Sequence, residues 1–295
     1  MSRPILARPI LARTAAPLAL MAALLNPVSV VPSAAQTAAL PPLRCAVDGT
    51  FAPHAFPKLD GGVQGFNVDL FRAVAQQMGR ELVIDSATFS GLVPAMNAGR
   101  YDFLCAPTTA TPERAPNMLF TEGYIYTAYQ FGIRRGTPPI TSLEDLRGKA
   151  ISVNKGSNYD AWVRDHAEAL GITVQAYDTQ PDAVQAVISG RAYANLAGNT
   201  VVRYAASRQR QFVADFVLTD TRAHWSAPFP LGAEALRAEV ENAIECLKLN
   251  GTVARLSEQW FGDKPGPDDA ENTVFPGSGV PGLPHYDPTP RTPRC

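Results

Sequence analysis

Apolar residues recur along this chain at two alternating spacings, and the alternation begins at Leu43. Leu43–Val47 reads as a strand. Over residues 67–78 the apolar positions Val68, Phe71, Val74 and Ala75 fall on one helical stripe. Residues 81–84 read as a strand, 92–98 as a helix stopped at Gly99, and 101–106 as a continuous apolar run that predicts a buried strand. This βαβαβ order argues for a parallel sheet with helices on both faces. A second unit of the same kind starts after Arg134, with a short helix at 143–146 stopped at Gly148 and a strand at 150–153. It continues with a helix over 158–170, a strand at 174–177, a helix over 183–189, a strand at 192–196, a helix over 200–208 and a strand at 212–218. Two last helices, 235–249 and 252–261, are expected to pack back onto one unit. After Gly262 the chain turns dense in Pro and Gly and loses periodicity, so residues 263–295 read as an extended tail.

A length of 295 residues suits two domains, and 46% hydrophobic with 18% charged residues describes a globular protein. With 26 Lys+Arg against 27 Asp+Glu, nothing draws the chain to nucleic acid or to an anionic membrane, and a nucleic-acid partner is excluded. Arg3, Arg8 and Arg13 precede an apolar core at 15–25, and Ser33-Ala34-Ala35 offers small residues for cleavage. Residues 1–35 therefore read as a secretory signal peptide, too short for a spanning helix, with an uncleaved anchor as the alternative. Export permits disulfides, and Cys45, Cys105, Cys246 and Cys295 allow three full pairings. Cys45 and Cys105 fall in predicted strands of one unit and Cys295 can tie the tail to Cys246; buried free thiols are the alternative. The four His (His54, His166, His224, His285) are scattered and no Cys-x-x-Cys occurs, so neither metal nor cofactor is expected.

The candidate chemistry lies in Thr108-Thr109-Ala110-Thr111-Pro112-Glu113-Arg114. A buried strand ending in hydroxyl residues, followed by a turn that presents one Arg, makes an anion receptor: hydroxyls and free N–H groups donate, and the guanidinium offers a two-pronged donor to a carboxylate. The plainer alternative is a helix start with Thr111 as N-cap and Pro112 at the first helical position.

Further landmarks surround that segment: Asp48; Gly65-Phe66-Asn67-Val68-Asp69-Leu70; Phe89-Ser90-Gly91-Leu92-Val93-Pro94-Ala95-Met96; Gly99-Arg100-Tyr101-Asp102; and Phe120-Thr121-Glu122. Leu143-Glu144-Asp145-Leu146-Arg147-Gly148-Lys149, Asn154-Lys155-Gly156-Ser157, and Gly251-Thr252 through Gln259-Trp260-Phe261-Gly262 follow. In this order they resemble the family-3 bacterial extracellular solute-binding proteins, the amino-acid-binding partners of ABC importers, from about Leu43 to Gly262. The resemblance implies an α/β, two-lobed periplasmic-binding-protein fold (type II), two α/β lobes joined by two crossing strands and closing on a ligand like a hinged clamp. Lobe 1 would comprise 43–131 and 224–262, lobe 2 residues 132–223, with crossings near 129–134 and 218–225. It also implies a small-molecule ligand, an ABC permease as partner, membrane association only through that permease, a monomer, and a periplasmic location.

By the same resemblance, Arg114 pairs with a ligand carboxylate, Thr109 supports it, and the carbonyl of Pro107 accepts from a ligand ammonium. Ser157 and Asn158 bring a helix N-terminus to the carboxylate from the second lobe. Phe51 and Phe89 form apolar walls, with core packing as the alternative for Phe89. Tyr126, Tyr159 and Trp162 hint at further aromatic lining. The chain departs from the family where an acid should bind the ammonium: that position is Gly198, and Tyr193 replaces a second Asp. Either Asp48 or Asp182 supplies the missing charge, or Asn199 occupies the position through a one-residue slip, or the ligand has no ammonium. The last is favoured, because an unpaired buried ammonium costs several kcal/mol. The expected role is capture of a small carboxylate-bearing ligand for ABC import, without catalysis. The alternatives are an accessory or sensory binding protein and a cyclohexadienyl-dehydratase-like enzyme, in which Glu113 would be the nearest acid.

Overall fold

The computed structural model describes residues 40–295, so the expected signal peptide lies outside the described residues. The first sheet has three strands. β1 (Leu43–Val47) lies between β4 (Leu82–Ser86) and β5 (Phe103–Leu104), and both pairings are parallel as expected. A small hairpin of β2 (Phe56–Pro57) and β3 (Val63–Gln64), absent from the sequence reading, leads into α1 (Phe66–Gln77). The apolar stripe of α1 is buried from Phe66 to Ala75. The helix can begin here only behind glycine: Gly65 has φ 137°, and a Cβ on it would lie 2.3 Å from the His54 carbonyl oxygen. Helix α2 (Phe89–Asn97) completes this series.

Short strands β6 (Thr108–Thr109) and β7 (Leu119–Phe120) lead to the long β8 (Ile125–Arg134). The second sheet then forms from β9 (Ala150–Asn154), α3 (Asn158–Leu170), β10 (Thr173–Tyr177), α4 (Gln180–Ile188), β11 (Ala194–Gly198), α5 (Asn199–Arg208) and β12 (Phe212–Ser226). Its order is β10-β9-β11-β8-β12-β6. The sequence reading expected parallel strands throughout; β10, β9 and β11 obey, but β8 runs antiparallel to β11 and to β12, and β12 antiparallel to β6. The reason is topological. β8 carries the chain out of the first lobe and β12 carries it back, so the two crossing strands must oppose each other. β12 extends to Ser226, well past the predicted end at 218, because its pairing with β8 slips between Leu218 and Ala223 and the apolar alternation breaks there. β13 (Pro228–Phe229) pairs with β7, and α6 (Glu234–Leu249) and α7 (Thr252–Phe261) pack against α1, returning the chain to the first lobe.

The four cysteines form Cys45–Cys105 and Cys246–Cys295. The second bond bears on a correction. Residues 263–295 contain no helix or strand, but they are packed, not a solvated extended tail. Ala270, Glu271, Ser278 and Val280 are buried. The tail is held by polar groups that no periodicity could reveal. Lys248 Nζ, fully buried, pairs with Glu122 and donates to the carbonyls of Gly123 and, at 2.8 Å, Thr273. Glu122 accepts from the Phe275 N–H at 2.8 Å, and Glu241 from the N–H of Gly279 at 2.8 Å. Arg291 of the tail pairs with Glu241 and Glu245 of α6.

Burial, reinforced by repulsion from Glu122, raises the Glu245 carboxyl to about 7 against the attraction of Arg291. A carboxyl whose folded pKa lies above its unfolded value of 4.5 binds more protons when folded. Its contribution is therefore present in full below 4.5 and is lost as pH rises through 7. Glu245→Gln is expected to flatten this fall in denaturant midpoint between pH 4.5 and 7, measured by equilibrium unfolding.

Candidate ligand-binding site

The strand ends of the two sheets meet where β6, the turn after it and the N-terminus of α3 converge. Arg114 lies in a turn opened by Thr111, whose carbonyl accepts from the Arg114 N–H at 3.1 Å and the Ala115 N–H at 3.0 Å, so the helical start of the plainer reading is present as one turn that leads into a short 3₁₀ helix at Ala115. Its guanidinium reaches the Thr109 carbonyl at 3.3 Å and the Gly156 carbonyl at 3.5 Å, bridging the two lobes. Among the described residues no carboxylate forms an ion pair with it. Burial pushes its pKa down, yet a guanidinium stays charged, so this is a cation with two long carbonyl contacts and unused donors. Phe89 is partly buried, packed against the core cluster that holds Leu92 and Met96, with its ring 5.8 Å from the guanidinium.

Thr109 is buried, and its hydroxyl accepts the indole N–H of Trp225 at 3.0 Å. Trp225, 1% exposed, sits opposite Thr109 in the β12–β6 register. The indole stands edge-on to His54 at 4.5 Å and to Phe51 at 6.2 Å, so the expected wall residue Phe51 abuts the protein's own side chain. Pro107 is buried beside this strand end. On the second lobe, the Ser157 hydroxyl caps α3 by accepting from the Asp160 N–H at 3.1 Å, and Asp160 accepts from the Gly156 N–H at 2.9 Å. The helix thus uses part of its own N-terminal donor set. The N–H groups of Asn158 and Tyr159 have no acceptor among the described residues. The Asn158 amide donates to the Tyr129 hydroxyl at 2.6 Å.

The two candidate acids and the amide at the slipped position fare differently. Asp48 is buried, and its carboxylate is occupied: it accepts from Thr50 N and Oγ1 at 3.0 and 2.7 Å and from Asn154 across the lobes at 2.9 Å. Asp182 is exposed and bonded to the Thr179 hydroxyl at 2.6 Å as part of the α4 cap. Asn199, the first residue of α5, accepts weakly from the Ala128 N–H at 3.4 Å. Gly198 itself has no room for a side chain. A Cβ there would lie 2.7 and 2.8 Å from the Trp225 ring carbons Cζ2 and Cη2, and 2.8 Å from the Tyr159 hydroxyl. The Tyr159 hydroxyl is buried without a partner that meets hydrogen-bond geometry, as is that of Thr127 beside it, and burial drives the phenol's pKa up. Of the other aromatic hints, Tyr126 stacks on His224 at 4.6 Å and Trp162 on His166 at 3.9 Å, away from Arg114.

Sequence reading missed Trp225, Tyr129, Asn154 and His54. None carries a local signal: Trp225 lies just past the break in strand periodicity, and His54 in a loop. His54 is fully buried, with Nδ1 2.9 Å from Asn67 Oδ1 and Nε2 2.8 Å from the Thr200 hydroxyl of the second lobe. Asn67 spends its amide N–H groups on Cys105 O and Tyr124 OH, so Nδ1 carries the proton and Nε2 accepts from Thr200. Burial lowers its pKa from 6.5 to about 3. A His whose folded pKa is depressed contributes stability that is present above 6.5 and lost as pH falls toward 3. His54→Gln is expected to reduce that acid-side loss of unfolding midpoint, with His224, lowered to about 4 by burial, carrying the remainder. Among the described residues no cluster of His, Cys, Asp and Glu is placed to hold a metal ion.

A fold of two lobes joined by two crossing strands is shared with known proteins. The L-cystine-binding protein TcyJ of Escherichia coli K12 is 27% identical over 221 residues, covering 75% of this chain and 82% of its own. A solved ancestral arginine-binding protein bound to arginine superposes with a TM-score of 0.70 at 29% identity, covering 75% of this chain and 98% of that one. An ancestral amino acid-binding protein, AncCDT-1, described as a precursor of cyclohexadienyl dehydratase, gives 0.68 at 27% identity over 74% of this chain and 95% of its own. The model of one family, the bacterial extracellular solute-binding proteins of family 3, matches residues 43–263. The chain belongs to that family.

Proposed function

We propose that this chain is a periplasmic solute-binding protein that closes on a small carboxylate-bearing ligand without an ammonium group and presents the closed form to an ABC permease. In this reading residues 43–131 with 224–262 form the first lobe and 132–223 the second, residues 1–35 direct export, and the protein acts as a monomer. The observation that carries it is an imbalance of charge. Arg114 offers a cation with unused donors, while position 198 bears no acid and has no space for one. Of the buried carboxylates near these strand ends, Asp48 is already bonded to Thr50 and Asn154, and Asp160 to Arg164 and the Gly156 N–H. An ammonium closed into such a cleft would lose its hydration and find no carboxylate free of other hydrogen bonds, whereas an acid would meet Arg114, the Thr109 hydroxyl and the α3 N-terminus.

The relatives described above are named for amino acids, so an ordinary α-amino acid is the competing ligand. An enzyme reading is weaker. Glu113 is exposed, and the Thr111 hydroxyl, followed by its own N–H, holds its carboxyl below the ordinary value, the opposite of what a general acid requires. A thermal-shift screen of organic acids against L-amino acids tests the proposal. Stabilisation by acids alone is expected; stabilisation by L-amino acids alone refutes it.

A further inference from the structure

We propose that Trp225 determines the ligand class, by filling the space from which an acidic side chain at position 198 would reach an ammonium and by turning the Thr109 hydroxyl into a donor for the carboxylate. The inference rests on the reading above and adds the residue responsible for it. Three observations converge on this indole.

The first is steric. A Cβ on Gly198 would approach two carbons of the Trp225 six-membered ring to 2.7 and 2.8 Å, a separation that side-chain carbons do not adopt. Glycine here is therefore demanded by the indole, with the Tyr159 hydroxyl beside it at 2.8 Å, and not by the backbone, because Gly198 has φ −65° and ψ 146°, open to any residue. The second is rigidity. Trp225 is 1% exposed, its carbonyl accepts from the Tyr124 N–H at 3.0 Å, and it is wedged between the rings of His54 and Phe51. It cannot swing aside to admit a carboxylate without opening these contacts. The third is the direction of a hydrogen bond. An indole N–H only donates, so the Thr109 oxygen accepts from it at 3.0 Å, and the Thr109 proton is left to donate elsewhere. A hydroxyl oriented in that way has its proton free for a carboxylate oxygen.

Positions 198 and 225 are thus one coupled choice. A small residue at 225 leaves space for an acid at 198 and an ammonium in the ligand; tryptophan at 225 enforces glycine and an ammonium-free ligand. The corresponding experiment is a double-mutant cycle on the full mature chain, read by thermal unfolding and by ligand-induced shift. Gly198→Ala adds only the Cβ. It is expected to lower Tm by about 5 °C in the native background and by clearly less in Trp225→Ala, where the ring is gone and only the Tyr159 hydroxyl, 2.8 Å from the added Cβ, remains. Equal effects of Gly198→Ala in both backgrounds would overturn the steric claim without reference to any ligand.

Gly198→Asp with Trp225→Ala is then expected to gain stabilisation by at least one common L-amino acid, with affinity about tenfold or more above that of the native chain. No gain across the common L-amino acids, with the double variant folded, overturns the specificity claim. If the native protein itself binds L-amino acids, the ammonium-free reading falls, while the Gly198→Ala cycle still decides whether Trp225 occupies that space. Trp225→Phe separates the hydrogen bond from the bulk: it keeps the ring, loses the N–H, and is expected to weaken carboxylate binding several-fold without admitting amino acids.

Discussion

Arg114→Ala is expected to lower affinity for the bound acid about 100-fold, the loss typical of removing one partner of a desolvated charge pair. The argument is local. The guanidinium is a cation with donors to spare, and its own contacts to Thr109 O and Gly156 O are long, at 3.3 and 3.5 Å. The unliganded fold therefore loses little when the side chain is removed, and the Tm without ligand should stay close to native. Arg114→Lys keeps the charge and loses the planar fork, so it should recover only part of the affinity. Titration calorimetry with the acid that stabilises the native protein reads both variants. Native affinity in Arg114→Ala would remove this residue from the site.

Lys248→Met carries the largest expected loss of stability, about 4 kcal/mol, because it leaves the Glu122 carboxylate buried without its counter-charge. Both side chains are almost wholly shielded from water, so solvent screening does not soften the effect. The carbonyls of Gly123 and Thr273 lose a donor as well. The pair lies where β8 leaves the first lobe, and it also anchors the tail. Tm should accordingly fall by about 10 °C, and the tail should become cleavable by protease. Adding Glu122→Gln removes the stranded charge and is expected to restore part of the loss, the rest being owed to the two carbonyls. A Lys248→Met protein as stable as the native chain would show that the buried pair adds nothing beyond an apolar contact.

The parts of the fold that sequence reading reached are those with a repeating apolar signal. β1, α3 and α7 have their expected bounds, because periodic strands and helices with Gly stops are encoded locally. β12 was read short and the sheet parallel, since neither a register slip at Leu218/Ala223 nor the direction of a returning strand leaves a trace in local spacing. The tail was misread for a related reason: its attachments are single backbone N–H and C=O groups meeting Glu122, Glu241 and Lys248 far away in sequence. In the candidate site, Arg114 and Thr109 could be singled out from sequence because they belong to one short segment. Gly198 stood out there only against the family pattern. The indole that crowds it, arriving from β12, could be seen only in three dimensions.

The central claim is that the carboxylate half of the site is intact and the ammonium half is absent. Its most direct test is calorimetric titration of the native protein with matched pairs, each an L-amino acid and the deaminated acid of the same side chain. The account predicts that the deaminated acid binds more tightly in every pair that binds at all. Tighter binding of the amino acid, abolished in Arg114→Ala, would contradict it.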